Sequence, residues 1–176
     1  AGDDAASGTS ALDTRFEVLY AGAIGPAQGL DVVLDAARRL AEEDPQVVFH
    51  KLGEVVSGIL KAGSLPVVIG GDHSIAMGSV SGISRFFKEK DQPIGLIWFD
   101  AHGDFNTPET TISGFFDGMG LAMAAGRCWR PMLPTIPGFS PVAEANVVHI
   151  GARDLDPAEE ALMSQSELQL VRPGAG

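Results

Sequence analysis

The chain has one cysteine, Cys128, so no disulfide can form within it. A lone thiol fits a reducing, cytoplasmic setting, and nothing beside Cys128 would stabilise a thiolate. Basic residues are scarce: 12 Lys and Arg stand against 23 Asp and Glu, a net charge of −11. Without a basic face the chain is not expected to bind nucleic acid or an anionic membrane surface. No apolar run approaches the ~20 residues of a membrane-spanning helix. The first residues, Ala1 to Ser10, lack a basic-then-apolar pattern, which predicts a disordered tail over residues 1–14 rather than a signal peptide. Three enzyme signatures are missing as well: a Gly-x-Ser-x-Gly elbow, a phosphate-cradling Gly-x-x-x-x-Gly-Lys and a Cys-x-x-Cys pair.

What remains is a chain of 176 residues, 45 % of them hydrophobic, large enough for one domain with a real core over residues 15–176. Apolar residues at three- and four-residue spacing predict helices from Gly29 to Asp44 and from Val47 to Ala62, the second stopped by Gly63. A third helix is expected from Ser74 to Lys88, with Ser74 as its N-cap, and a fourth beginning near Pro157. Short apolar runs predict strands at Phe16–Gly22, Val67–Gly70, Ile94–Phe99, Asn146–Ile150 and Glu167–Val171. Pro131, Pro134, Pro137 and Pro141 mark an irregular loop. Strand and helix alternate, which predicts a three-layer α/β fold: a mostly parallel sheet with helices on both faces. In such sheets ligands bind beyond the carboxyl ends of the strands.

Two strand ends carry chemistry. Ile94–Phe99 runs into Asp100-Ala101-His102-Gly103-Asp104, where three metal-capable side chains alternate with small residues. Alternation at period two places them on one side of an extended backbone. Carboxylates at the end of a buried strand are costly unless a positive group sits among them. Pro66-Val67-Val68-Ile69 runs likewise into Gly70-Gly71-Asp72-His73-Ser74. His and Asp at two strand ends point to a metal site. His149, in an apolar strand, reads as a satisfied core histidine.

Together, Gly71-Asp72-His73-Ser74 and Asp100-Ala101-His102-Gly103-Asp104 resemble the arginase or ureohydrolase family of binuclear manganese amidinohydrolases, arginases in particular. Asp104-Phe105-Asn106-Thr107-Pro108, Thr110-Thr111-Ile112-Ser113-Gly114 and the segment from Ile150 to Glu159 extend the likeness, in the family's order, from about Gly63 to Glu159. The resemblance implies His73, Asp100, His102 and Asp104 as ligands of two Mn2+ ions, with other divalent metals compatible with these residue types. It implies that Asp104 orients a water and handles its proton, that Asn106 and Ser113 bind a substrate α-carboxylate, and that Asp156 and Glu159 face its α-ammonium. The substrate implied is a small cationic guanidino compound, with L-arginine cleaved to L-ornithine and urea. The family commonly assembles as trimers or hexamers, so a homo-oligomer is expected.

Two departures stand out. Family members carry a further motif, Ser-x-Asp-x-Asp-x-x-Asp-Pro, that supplies two more metal ligands. It is absent here, and the fold is expected to lack its C-terminal portion. Asp117 also stands where arginases have a proton-shuttling histidine, and is expected to take that catalytic role by accepting or donating the proton, or to bind the guanidinium directly. Phe115 stands where a polar, carboxylate-binding residue is common. The competing expectations are an agmatinase or another guanidino- or formimino-acid hydrolase and, from a different class, a non-catalytic metal-binding domain with incomplete ligation.

Overall fold

The computed structural model describes residues 16–20, 45–70, 72–172 and 174. The tail expected over residues 1–14 and the helix expected over 29–44 lie outside them. In chain order the principal elements are β1 (Phe16–Tyr20), α1 (Pro45–Lys61), β2 (Leu65–Ile69), α2 (Ile75–Lys88), β3 (Leu96–Phe99), α3 (Gly120–Ala124), β4 (Val147–Ile150), α4 (Pro157–Ser164) and β5 (Gln169–Val171). Apart from α3, each matches an element expected from the sequence, with ends shifted by up to two residues.

Among the described residues all strand pairings are parallel. β1 pairs with β2, and β3, β4 and β5 form a second ladder in that order. Trp98 lies opposite His149 in the β3–β4 register. This is the expected α/β class: parallel strands cannot be joined by a tight turn, so helices carry the chain back between them.

α1 and α2 cross at close range because small residues line the contact. A Cβ on Gly82 would come within 2.6 Å of the Gly53 carbonyl, and one on Gly78 within 2.7 Å of Leu52. The core collects Met77 and Val80 from α2, Trp98 from β3, Leu121 and Met123 from α3, and Phe105. The outer side of β2 and β3 is open: Leu65, Val67, Ile69, Ile97 and Phe99 are exposed, Phe99 to 80 %. Cys128 is buried, and burial pushes its thiol pKa up to about 12, so it is inert. Among the described residues no helix is long and apolar enough to cross a membrane.

Candidate metal centre

The segments following β2 and β3 converge. His73 Nδ1 lies 2.6 Å from Asp104 Oδ2 and 3.2 Å from Asp100 Oδ2. Among the described residues, His73, Asp100 and Asp104 are the group whose ligand atoms all fall within 4.8 Å of one another. An imidazole nitrogen and two carboxylate oxygens are donors suited to a divalent cation. The donor set therefore fits.

Asp104 is held from several sides. Its φ of +48° is a left-handed conformation that Asp tolerates better than most residues. Its carbonyl accepts the N–H groups of Leu121 and Ala122 at the start of α3, at 2.8 and 3.1 Å. Its Oδ2 accepts the Trp98 indole N–H at 3.2 Å, and the Trp98 ring stacks on His73 with centroids 4.3 Å apart. In the sequence Trp98 is one residue of the apolar run Ile94–Phe99. Its signal was position: it shares the parity of Asp100, His102 and Asp104.

Asp100 faces two ways. Its Oδ2 meets His73, while its Oδ1 accepts the His102 backbone N–H at 2.8 Å and lies 3.1 Å from His102 Nδ1. The carboxylate thus has an imidazole at each oxygen. His102 itself does not join the cluster of three: its side chain is 64 % exposed, and its Nε2 lies 3.8 Å from Asp154 Oδ2. The period-two expectation placed all three side chains together. The left-handed turn at Asp104 breaks the extended geometry that expectation requires.

Electrostatics follow the geometry. The hydrogen bond to Asp104 raises the His73 pKa against the opposing effect of burial, and the charges of Asp104, Asp100 and Asp117 add to the rise. Burial pushes the Asp100 carboxyl up, but the His102 backbone N–H and the two neighbouring imidazoles hold it below the ordinary carboxylate value.

The residues expected at a substrate are placed as follows. Asn106 is buried; its Nδ2 donates to Asp156 Oδ2 at 3.1 Å and its Oδ1 accepts the Thr110 hydroxyl at 2.9 Å. Asp156 occupies the N-cap of α4, ahead of Pro157. Glu159 was expected to face an ammonium. Instead it is 4 % exposed, with Oε1 accepting the Phe105 N–H at 2.8 Å and Oε2 the Asp156 N–H at 3.3 Å. Burial raises its pKa, partly offset by those two amides. Its carboxylate is committed to the backbone. Ser113 lies in an exposed loop, accepting the Phe115 N–H at 3.2 Å. Asp117 opens the short turn Asp117–Met119 and accepts the Gly118 N–H at 2.9 Å. Ser74 takes the N-cap position of α2, yet its hydroxyl donates to Asp72 instead of capping the helix.

The class is thus that of an α/β protein with a parallel sheet and a candidate metal-ligand cluster, His73, Asp100 and Asp104, beyond its strand ends. Comparison with known proteins narrows it. The sequence model of the arginase family matches residues 8–173. Over 117 residues the chain is 47 % identical to an arginase of Brevibacillus brevis, covering 66 % of this chain and 38 % of that protein. Identity to the mitochondrial arginase-2 of Rattus norvegicus is 39 % over 124 residues, 68 % of this chain and 34 % of the relative. The crystal structure of arginase from Bacillus cereus superposes with a TM-score of 0.66 at 39 % identity, covering 72 % of this chain and 43 % of that one. This chain belongs to the arginase family. It spans about two fifths of the length of the bacterial relatives it matches.

Proposed function

We propose that the chain carries the core of an amidinohydrolase metal centre, and that the protein hydrolyses L-arginine to L-ornithine and urea. The observation that carries this reading is the convergence of His73, Asp100 and Asp104 from two strand ends. Asp100 would hold a divalent cation together with His73 and Asp104, and His102, beside its other oxygen, would be a further donor. Divalent ions there supply the positive charge that makes water acidic enough to act as a nucleophile at neutral pH.

The chain's own groups do the rest. Asp104, fixed by the Trp98 N–H, orients the attacking water and takes its proton. The water oxygen bonds to the guanidinium carbon, the bond from that carbon to the side-chain nitrogen breaks, and the leaving amine takes a proton. Asp117, whose charge reaches His73, is the group on the same side suited to relay to that amine the proton Asp104 takes from the water. Asn106 and Ser113 donate to a substrate carboxylate. Asp156 faces the ammonium, with Glu159 bracing the start of its helix.

A second reading is a hydrolase of another guanidino compound. Phe115 favours it: this apolar side chain is 69 % exposed on the loop that carries Ser113. Mn2+ titration followed by urea release from arginine, agmatine and guanidino acids decides between them. Stoichiometric Mn2+ and urea from arginine are expected. Urea from agmatine alone overturns the choice of substrate, and failure to bind Mn2+ leaves a non-catalytic domain.

A further inference from the structure

His149 is the one wholly buried histidine among the described residues, at 0 % exposure in the middle of β4. Its Nε2 lies 2.8 Å from the carbonyl oxygen of His102. A carbonyl only accepts, so Nε2 carries the hydrogen and donates. Nδ1 has no hydrogen-bond partner among the described residues. The residue is therefore half satisfied, where an aliphatic side chain would fill the strand without an orphaned nitrogen.

The Nε2 bond accounts for a histidine here. The segment from Asp100 to Asp104 has three carbonyls whose partners matter. That of Ala101 accepts the N–H groups of Arg153 and Asp154, and that of Asp104 accepts those of Leu121 and Ala122. Among the described residues, the His102 carbonyl has His149 as its donor. His149 also stands opposite Trp98 in the ladder, and Trp98 grips the Asp104 side chain. Adjacent strands thus hold one turn by its backbone and by its carboxylate.

We propose that His149 is a positioning residue, whose Nε2–H fixes the His102 carbonyl and so sets the turn presenting Asp100, His102 and Asp104. For its metal readout this rests on the function proposed above. The test compares three variants of the chain. His149→Gln keeps an N–H donor at about the reach of Nε2, His149→Asn keeps an amide that is too short, and His149→Leu keeps only bulk. Mn2+ affinity is measured by titration, and hydrogen exchange is followed at the His102 and Phe105 amides, with exchange in α1 and α2 as the folding control.

The Leu and Asn variants are expected to bind Mn2+ about tenfold more weakly and to exchange both amides at least about tenfold faster, with α1 and α2 unchanged. The Gln variant is expected to stay within about threefold of the parent on both measures. Parent-like affinity and exchange in the Leu variant overturn the proposal, and so does a Gln variant as impaired as Leu. Should the Leu variant fail to fold, the Asn and Gln variants decide alone. If the parent chain binds no Mn2+, the metal reading fails while the exchange data still decide the role of His149.

Discussion

Glu159 reaches back 54 residues to accept the Phe105 backbone N–H at 2.8 Å. The bond ties the start of α4 to the residue immediately after Asp104, and it is made by a carboxylate expected at a substrate. Removing it tests which role dominates. Glu159→Ala leaves the Phe105 and Asp156 amides without their acceptor and is expected to cost about 1–3 kcal/mol in urea unfolding. Glu159→Gln keeps one acceptor oxygen and is expected to cost less than half of that. Equal stability of both variants and the parent would show that the carboxylate is free for another task.

Gly103 lies under the same carboxylate. A Cβ there would sit 2.5 Å from Glu159 Cδ and 2.6 Å from Oε1. Gly103→Ala must push Glu159 aside, at about 1–3 kcal/mol. In the double variant with Glu159→Ala that clash has no partner, so the two costs are expected to be non-additive by at least about 0.5 kcal/mol. A double-mutant cycle by urea denaturation measures the difference, and simple additivity would place the Gly103 effect elsewhere.

Trp98 both stacks on His73 and donates to Asp104. Trp98→Phe retains an aromatic face and loses the N–H. Mn2+ affinity is expected to fall about tenfold. His73 keeps its stacking partner, and the thermal unfolding midpoint moves little. Unchanged affinity would mean that the indole serves packing alone.

Away from the site, Arg127 grips Glu144 with two donors, one of them Nη2 at 2.8 Å. The Arg127 hydrogen bond holds the Glu144 carboxyl below its ordinary 4.5. A carboxyl whose pKa is depressed on folding stabilises the folded state above its unfolded pKa, and that contribution is lost as pH falls through the lower folded value. Glu144→Gln is expected to cost about 1 kcal/mol at pH 7. Urea unfolding at a series of pH values should show the gap between variant and parent begin to close near pH 4.5 and vanish below the depressed folded value.

Much of the architecture was legible in the sequence because it is local. The three- and four-residue spacing of Leu52, Val55, Val56, Ile59 and Leu60 marked α1, and apolar runs bounded by polar tips marked β2, β3 and β4. His73, Asp100 and Asp104 were legible for the same reason, since each closes or follows a strand. The rest depends on contacts between distant parts of the chain. Nothing near Asn106 announces that its amide meets Asp156, or near Glu159 that its carboxylate lies beneath Phe105. His149 sits among apolar neighbours, and periodicity alone cannot reveal that one of its nitrogens reaches a turn 47 residues away. A strand pattern does not foresee the left-handed Asp104, nor that Asp104 turns in to His73 while His102 stays exposed beside Asp100.

Those distant grips set a timetable for biosynthesis. The braces from His149, Asp156 and Glu159 come 47, 50 and 54 residues after the positions they secure. At about 5–20 residues per second, translation leaves the acidic turn unbraced for roughly 3–10 s after it has been made. Closing so wide a loop also slows folding relative to the neighbouring helices. A cation arriving in that interval meets loose, separately hydrated carboxylates; a shaped receptor exists only once the polypeptide has grown past α4.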